Sequence, residues 1–225
     1  MNDRAERLIH YAAVLGWTEY QTAYSVQIPM THTIADIAAV IDTAEHQRRV
    51  RADAGAIGDD REAYFTLCAL PLDEPVRLAD LDHHDRRILK RIPAGFVSIQ
   101  ADVVTRLARP AVGAVLAVIY DDQWERGLNR ASHFAPFGTR VLALTSSEGN
   151  DLQIAAMESA LHGIGLVAVE PGTRDQEWVA PEPWIETQPD GPVGWRFKDQ
   201  AYNAWRDDQD SNCPNRSHDI GHAGN

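Results

Sequence analysis

Apolar runs and helix-period stripes alternate most clearly between Ala111 and Pro171. The run Ala111–Tyr120 carries no charge, and two shorter runs follow at Val141–Leu144 and Leu166–Val169. Between them lie a polar, helix-like segment, Asp122–Phe134, and a second helix-like segment, Asp151–His162. The pattern predicts strand, helix, strand, helix, strand. Asp122 and Glu125 have the spacing of a capping box. Ala135-Pro136-Phe137-Gly138 ends the first helix, and Ser147 or Asn150 is positioned to cap the second. Ile154, Met157 and Leu161 are expected to form that helix's core stripe, with Gly163 and Gly165 ending it.

Upstream, Leu8, Tyr11, Ala12 and Leu15 fall on one helical face, stopped by Gly16. Ala23–Ile28 alternates as a strand closed by Pro29. Ile34, Ile37, Ala38 and Ile41 repeat at helical spacing, so Thr33–Arg49 is expected to be a helix with Thr33 as cap. Ala52–Glu62 is a loop, Ala63–Leu70 a short strand, and Leu81, Ile88 and Ile92 mark a helix stopped by Pro93. Gly95–Leu107 fits either a strand or a helix; the strand reading gives a hairpin through Arg109-Pro110 into Ala111–Tyr120. After Gly172, Trp178, Trp184 and Trp195 interleave with prolines, the signature of an extended arm laid over the core. Phe197–Trp205 is expected as a short helix, and Asp207–Asn225 as a disordered polar tail. The expected organisation is therefore an N-terminal α+β region (1–75), an α/β core (76–171) and an irregular arm (172–225).

Hydrophobic residues make up 44% and charged residues 24% of the chain, which places it among globular proteins. No run reaches the roughly 18 apolar residues of a membrane span. Met1–Glu6 lacks a basic segment followed by an apolar one, so the expected location is the cytoplasm. There Cys68 and Cys213 are expected to be reduced. Lys90 and Lys198 are the only lysines among 21 basic residues, a bias that suggests a GC-rich bacterial genome. The net charge of -12 opposes generic binding to nucleic acid or anionic membrane. Two local basic patches, Arg48-Arg49-Val50-Arg51 and Arg86–Arg91, stand against that background. Residues 33–51 partly match a helix-turn-helix, with Ala38 at the small mid-helix position. Asp42 replaces the usual turn glycine, and Arg48 replaces an apolar anchor. In that reading Arg48, Arg49 and Arg51 would contact DNA.

Ala101-Asp102-Val103-Val104, a hairpin into Ala111–Tyr120, the helix around Trp124 and Glu125, the strand Arg140–Thr145 and the later Gly163-Ile164-Gly165 together resemble the PD-(D/E)XK, or restriction-endonuclease-like, superfamily. The resemblance spans about a third of the chain. It implies a mixed sheet flanked by helices, an α/β fold in which an Asp and a later Glu hold Mg²⁺ and a Lys two residues on assists the attacking water. Carried over, Asp102 matches the first carboxylate. Val118 stands at the Glu position, Tyr120 at the Lys position, and Arg130 near a helical Gln. One carboxylate does not make a useful Mg²⁺ site, and Asp121 or Glu125 would have to substitute. The reading is thus a degenerate nuclease-like core with a binding or scaffolding role toward a protein or a nucleic acid, with no cofactor expected. A divergent Mg²⁺ nuclease and a DNA-binding regulator are the alternatives.

Other groupings carry less. Asp82-His83-His84-Asp85 has metal-site residues but sits at a helix start, where acids are expected anyway. Cys213, His218 and His222 have zinc-like spacing without a fourth ligand. Ser146-Ser147 lacks the flanking glycines of a nucleophile elbow, and no glycine-rich phosphate loop is present.

Overall fold

The computed structural model describes residues 3–27, 32–146, 148–169, 175–185 and 191–212. In chain order the elements are α1 (Asp3–Val14), β1 (Gln21–Gln27), β2 (Ile34–Ile41), α2 (Thr43–Arg51), α3 (Arg61–Ala69) and β3 (Pro75–Arg77). These are followed by α4 (His83–Leu89), β4 (Val97–Gln100), β5 (Val103–Arg106), β6 (Val112–Asp121), α5 (Trp124–Ser132) and β7 (Thr139–Leu144). Last come α6 (Leu152–Leu161), β8 (Ile164–Ala168), β9 (Gln176–Val179) and α7 (Pro192–Asn212).

Six strands form one mixed sheet in the order β1-β2-β6-β7-β8-β9. β6, β7 and β8 are parallel, while β2 and β9 run against their neighbours. Strand alternation sends Leu116, Val118, Val141, Ala143 and Val167 to the face covered by α1. Val115, Ala117, Ile119, Leu142 and Leu144 go to the other face, with residues of α5, α6 and α7. Both faces are covered, which explains why β6, β7 and β8 read as unbroken apolar runs.

Residues 43–108 form a lobe inserted between the antiparallel neighbours β2 and β6. It holds α2, α3, α4 and a separate three-stranded sheet, β3-β5-β4. Its core contains Tyr64, Leu67, Ile88, Phe96 and Val104. The lobe's neck is closed by Asp42 N–H donating to the Ala111 carbonyl at 2.9 Å and by an Arg109–Asp42 ion pair at 2.8 Å. Neighbouring ends make such an insertion inexpensive in loop entropy. α7 joins the two cores: Phe197, Ala201 and Tyr202 pack into the sheet's core, and Trp195 into the lobe's.

Several expectations change. Residues 33–49 are not one helix: Ile34–Ile41 is a strand, and Asp42 caps α2 by accepting from the Glu45 N–H. The segment is buried on both faces, so its apolar residues show no solvent-facing stripe to distinguish the two periods. The helix-turn-helix reading of 33–51 is overturned with it. The expected strand Ala63–Leu70 is helical up to Ala69, in α3 capped by Asp60, because Ala63, Tyr64, Thr66 and Leu67 are the buried set, at helical spacing. Gly95–Leu107 holds a tight hairpin, β4–β5, that pairs with β3 and not with β6. The arm is also more regular than expected: β9 is an edge strand of the sheet, and α7 runs 21 residues from Pro192, well beyond Phe197–Trp205. Residues 207–212 of the expected tail belong to that helix.

In α6, Ile154, Met157 and Leu161 face outward, with Met157 74% exposed, while Ala155 and Ser159 pack inward. Asp151 caps that helix through the N–H groups of Gln153 and Ile154, and Asn150 instead accepts from Trp124 N–H at the start of α5. The Asp122–Glu125 capping box is therefore absent. Among the described residues, no helix is long and apolar enough to cross a membrane.

Candidate functional site

β2 lies antiparallel beside β6, and its Asp36 is registered directly opposite Val118. Asp36 shares strand parity with Ala38, so its carboxylate is sent to the α1 face together with Val118 and Tyr120. It is buried, at 3% exposure. A buried carboxylate needs a cation or donors, and α1 brings them. Arg4, Arg7, Leu8 and Tyr11 recur at the three- and four-residue intervals of one helical face. Leu8 and Tyr11 anchor the helix on the sheet, while the arginines reach the polar end of the same surface.

Arg4 Nη1 donates to Asp36 Oδ1 at 3.5 Å, and its guanidinium lies 5.2 Å from the centre of the Tyr120 ring. Arg7 makes a two-pronged contact with Asp175, just before β9, at 2.7 and 3.3 Å. The Tyr11 hydroxyl is buried without a hydrogen-bond partner, and the buried Tyr120 hydroxyl faces Arg7. Burial, and then the nearby Asp175 charge, push the Tyr11 hydroxyl far above the usual phenol range. Burial, and then Asp36, push Tyr120 up to about 12, against the opposing pull of Arg7 and Arg4. Both phenols therefore stay protonated and act as donors. Two guanidiniums and two phenol O–H groups thus gather around Asp36 and Asp175.

Such an arrangement consists mainly of donors turned toward two carboxylates. It does not provide the ring of hard oxygen ligands that Mg²⁺ takes. Among the described residues no group of three or more His, Cys, Asp or Glu side chains is placed to hold a metal ion.

The residues singled out from the sequence lie elsewhere. Asp102 is exposed in the β4–β5 turn, beside Ala101 at φ +53°, and its carbonyl accepts from Leu78 N–H. Its three-stranded sheet does not include β6, so it does not flank Val118 or Tyr120. Glu125 is exposed on the first turn of α5. Asp121, at the end of β6, faces the opposite side of the sheet from Tyr120. Arg126 and Arg130 hold its carboxyl down to about 2, overcoming the burial that alone would raise it.

Arg48 and Arg49 are turned inward. Arg49 is 3% exposed and donates to Glu45 (2.8 Å), Asp199 (3.0 Å) and the Arg109 carbonyl (2.8 Å). Arg48 pairs with Glu45 and the Gly95 carbonyl. Only Arg51 of the three projects into solvent, so the patch presents little charge to a phosphate backbone. Asp82 caps α4 by accepting from Asp85 N–H at 2.7 Å, and Asp85 accepts from Thr66. Ser146 Oγ accepts from Glu148 N–H. Ser147 and the Cys213, His218, His222 grouping lie outside the described residues.

Asp36, Arg4, Arg7 and Tyr11 were not anticipated as a site. One signal pointed to Asp36: Ala35-Asp36-Ile37 repeats the pattern of Ala101-Asp102-Val103, and it is the one acid in the otherwise apolar run Ile34–Ile41. Comparison with known proteins adds no relative, since no family model, curated protein or solved structure matches the chain.

Proposed function

We propose that the chain is a non-catalytic, restriction-endonuclease-like α/β module that acts by binding, with Asp36 in the place of the resembled superfamily's first carboxylate. The observation that carries this reading is the register of Asp36 opposite Val118, with Arg4 on its carboxylate. A nuclease of that kind needs a second carboxylate at Val118 and a lysine at Tyr120. Here an apolar side chain and a neutral phenol stand there, and a guanidinium neutralises the one acid. Supporting the fold part of the reading are the strand–helix–strand order of β6, α5 and β7 and the antiparallel strand beside β6. The acidic chain and the inward-turned Arg48 and Arg49 favour a protein partner over nucleic acid.

Plasmid nicking with Mg²⁺ or Mn²⁺ tests the proposal, using wild type, Asp36→Ala and Asp102→Ala. The expected result is no cleavage by any of the three. Metal-dependent nicking by wild type that is lost in Asp36→Ala would overturn the non-catalytic reading.

A further inference from the structure

On the sheet face opposite α1, α2 and α7 enclose a cleft of about 460 Å³, within the usual range for small-ligand sites. Its lining includes His46, Arg49, Asp53, Trp205, Arg206 and Gln209. Arg49 is already committed to Glu45, Asp199 and a carbonyl, so it contributes charge without a free N–H direction. Arg206 differs: it is half-buried, lies 5.8 Å from the Tyr202 ring centre, hydrogen-bonds the Tyr202 hydroxyl, and forms no ion pair among the described residues.

The aromatic groups form a compact cluster. His46 and Trp205 meet edge to face at 5.3 Å, and Tyr202 and Trp205 lie tilted to each other at 5.7 Å. His46 Nδ1 lies 2.8 Å from the Tyr202 hydroxyl. Burial raises the Tyr202 pKa, and burial followed by Arg206 lowers that of His46. With the hydroxyl assigned as donor to Nδ1, the neutral imidazole carries its proton on Nε2. The Trp205 indole N–H is buried and makes no hydrogen bond. The lining thus sets the donors of Arg206 and His46 beside flat apolar surface, with Asp53 as its one carboxylate.

We infer that this cleft binds a small planar organic anion, of the aromatic carboxylate class, with its carboxylate on Arg206 and its ring against Trp205 and His46. A charge-assisted pair with arginine and aromatic stacking are the two interactions such a ligand uses. The net charge of -12 sets the size of the ligand: the long-range field repels a polyanion, while a single carboxylate answers to the local arginine.

The test uses the full chain and 2-naphthoate, with 2-naphthamide as the uncharged analogue and inorganic phosphate as the anion without a ring. Binding is followed by calorimetry and by the indole N–H signals in ¹⁵N–¹H spectra. Saturable 2-naphthoate binding is expected, with one indole signal shifting. That signal is absent in Trp205→Phe, and Arg206→Gln weakens binding at least ~10-fold, the scale of a charge-assisted hydrogen bond. Thermal unfolding confirms that both variants are folded. No saturable binding by folded wild type overturns the inference. So does equal binding of the amide or of phosphate, or unchanged affinity in Arg206→Gln.

Discussion

Replacing Arg49 with Met keeps most of the side chain's volume and removes its charge. Arg49 and Asp199 are 3% and 2% exposed at their side chains, and the pair is joined to Glu45. After the substitution Glu45 retains Arg48 at 2.6 Å, whereas Asp199 retains the Tyr64 hydroxyl at 3.2 Å and has no ion pair among the described residues. Stranding one partner of a buried pair costs about 3–5 kcal/mol. The lost stacking of the guanidinium on Phe96, 4.8 Å away, adds up to about 1 kcal/mol. Against a total stability of roughly 5–15 kcal/mol, this is a large fraction, worth roughly 10 °C in Tm.

The loss depends on pH in a definite direction. Burial holds the Asp199 carboxyl above its ordinary value even with Arg49 present. A carboxyl raised on folding favours the fold when protonated. That benefit is complete below its unfolded pKa and is lost as pH rises through the folded one. Without Arg49 the folded value rises further, so Arg49→Met is more destabilised at pH 8 than at pH 5. Adding Asp199→Asn to Arg49→Met removes the stranded charge and is expected to recover at least ~1 kcal/mol. Urea titrations at both pH values measure these differences from midpoints and slopes. A loss under ~1 kcal/mol at both pH values, or no recovery from the added Asn, would refute the reasoning.

Three further outcomes are expected. Asp121→Asn lowers stability by about 1–2 kcal/mol at neutral pH, less than the full shift implies because Arg126 is half in water. Since folding depresses this carboxyl, the advantage of wild type is present above pH 4 and fades as pH falls toward 2, visible in acid unfolding curves. Gly138→Ala drives a Cβ against the Val115 carbonyl, 2.9 Å from its carbon, so thermal scans should show a loss of roughly 3 kcal/mol. Asp102→Ala and Met157→Gln, both at exposed positions, should leave the urea midpoint within about 0.5 kcal/mol of wild type.

The parallel strands were legible because burial on both faces leaves no polar positions to interrupt them. β2 is equally apolar, but Ile34, Ile37, Ala38 and Ile41 happen to suit a helix too, and no solvated face arbitrates between periods. α6 shows a different ambiguity. It is apolar around its circumference, and close approach to the sheet selects Ala155 and Ser159 as the inner face, leaving the larger Ile154, Met157 and Leu161 outside. α7 was concealed by the prolines leading up to it and by Pro192, which stands at the first helical position, where a missing N–H costs nothing. The α1-face site was the least legible part. Its acid, its arginines and its second carboxylate come from β2, α1 and the segment before β9, and only sheet order and register bring them together. The lone acid in an apolar strand was visible; its partners were not.

α7 is made after every strand of the sheet and after the whole inserted lobe, yet it supplies Phe197 and Tyr202 to one core and Trp195 to the other. A nascent chain therefore leaves the ribosome with both cores still lacking their shared wedge, and Arg49 waits 150 positions for Asp199. Contacts of such long range close slowly. Until residue 212 clears the exit tunnel, the apolar surface around Phe134, Phe137 and Leu67 stays uncovered, which is the interval in which a chaperone has something to hold.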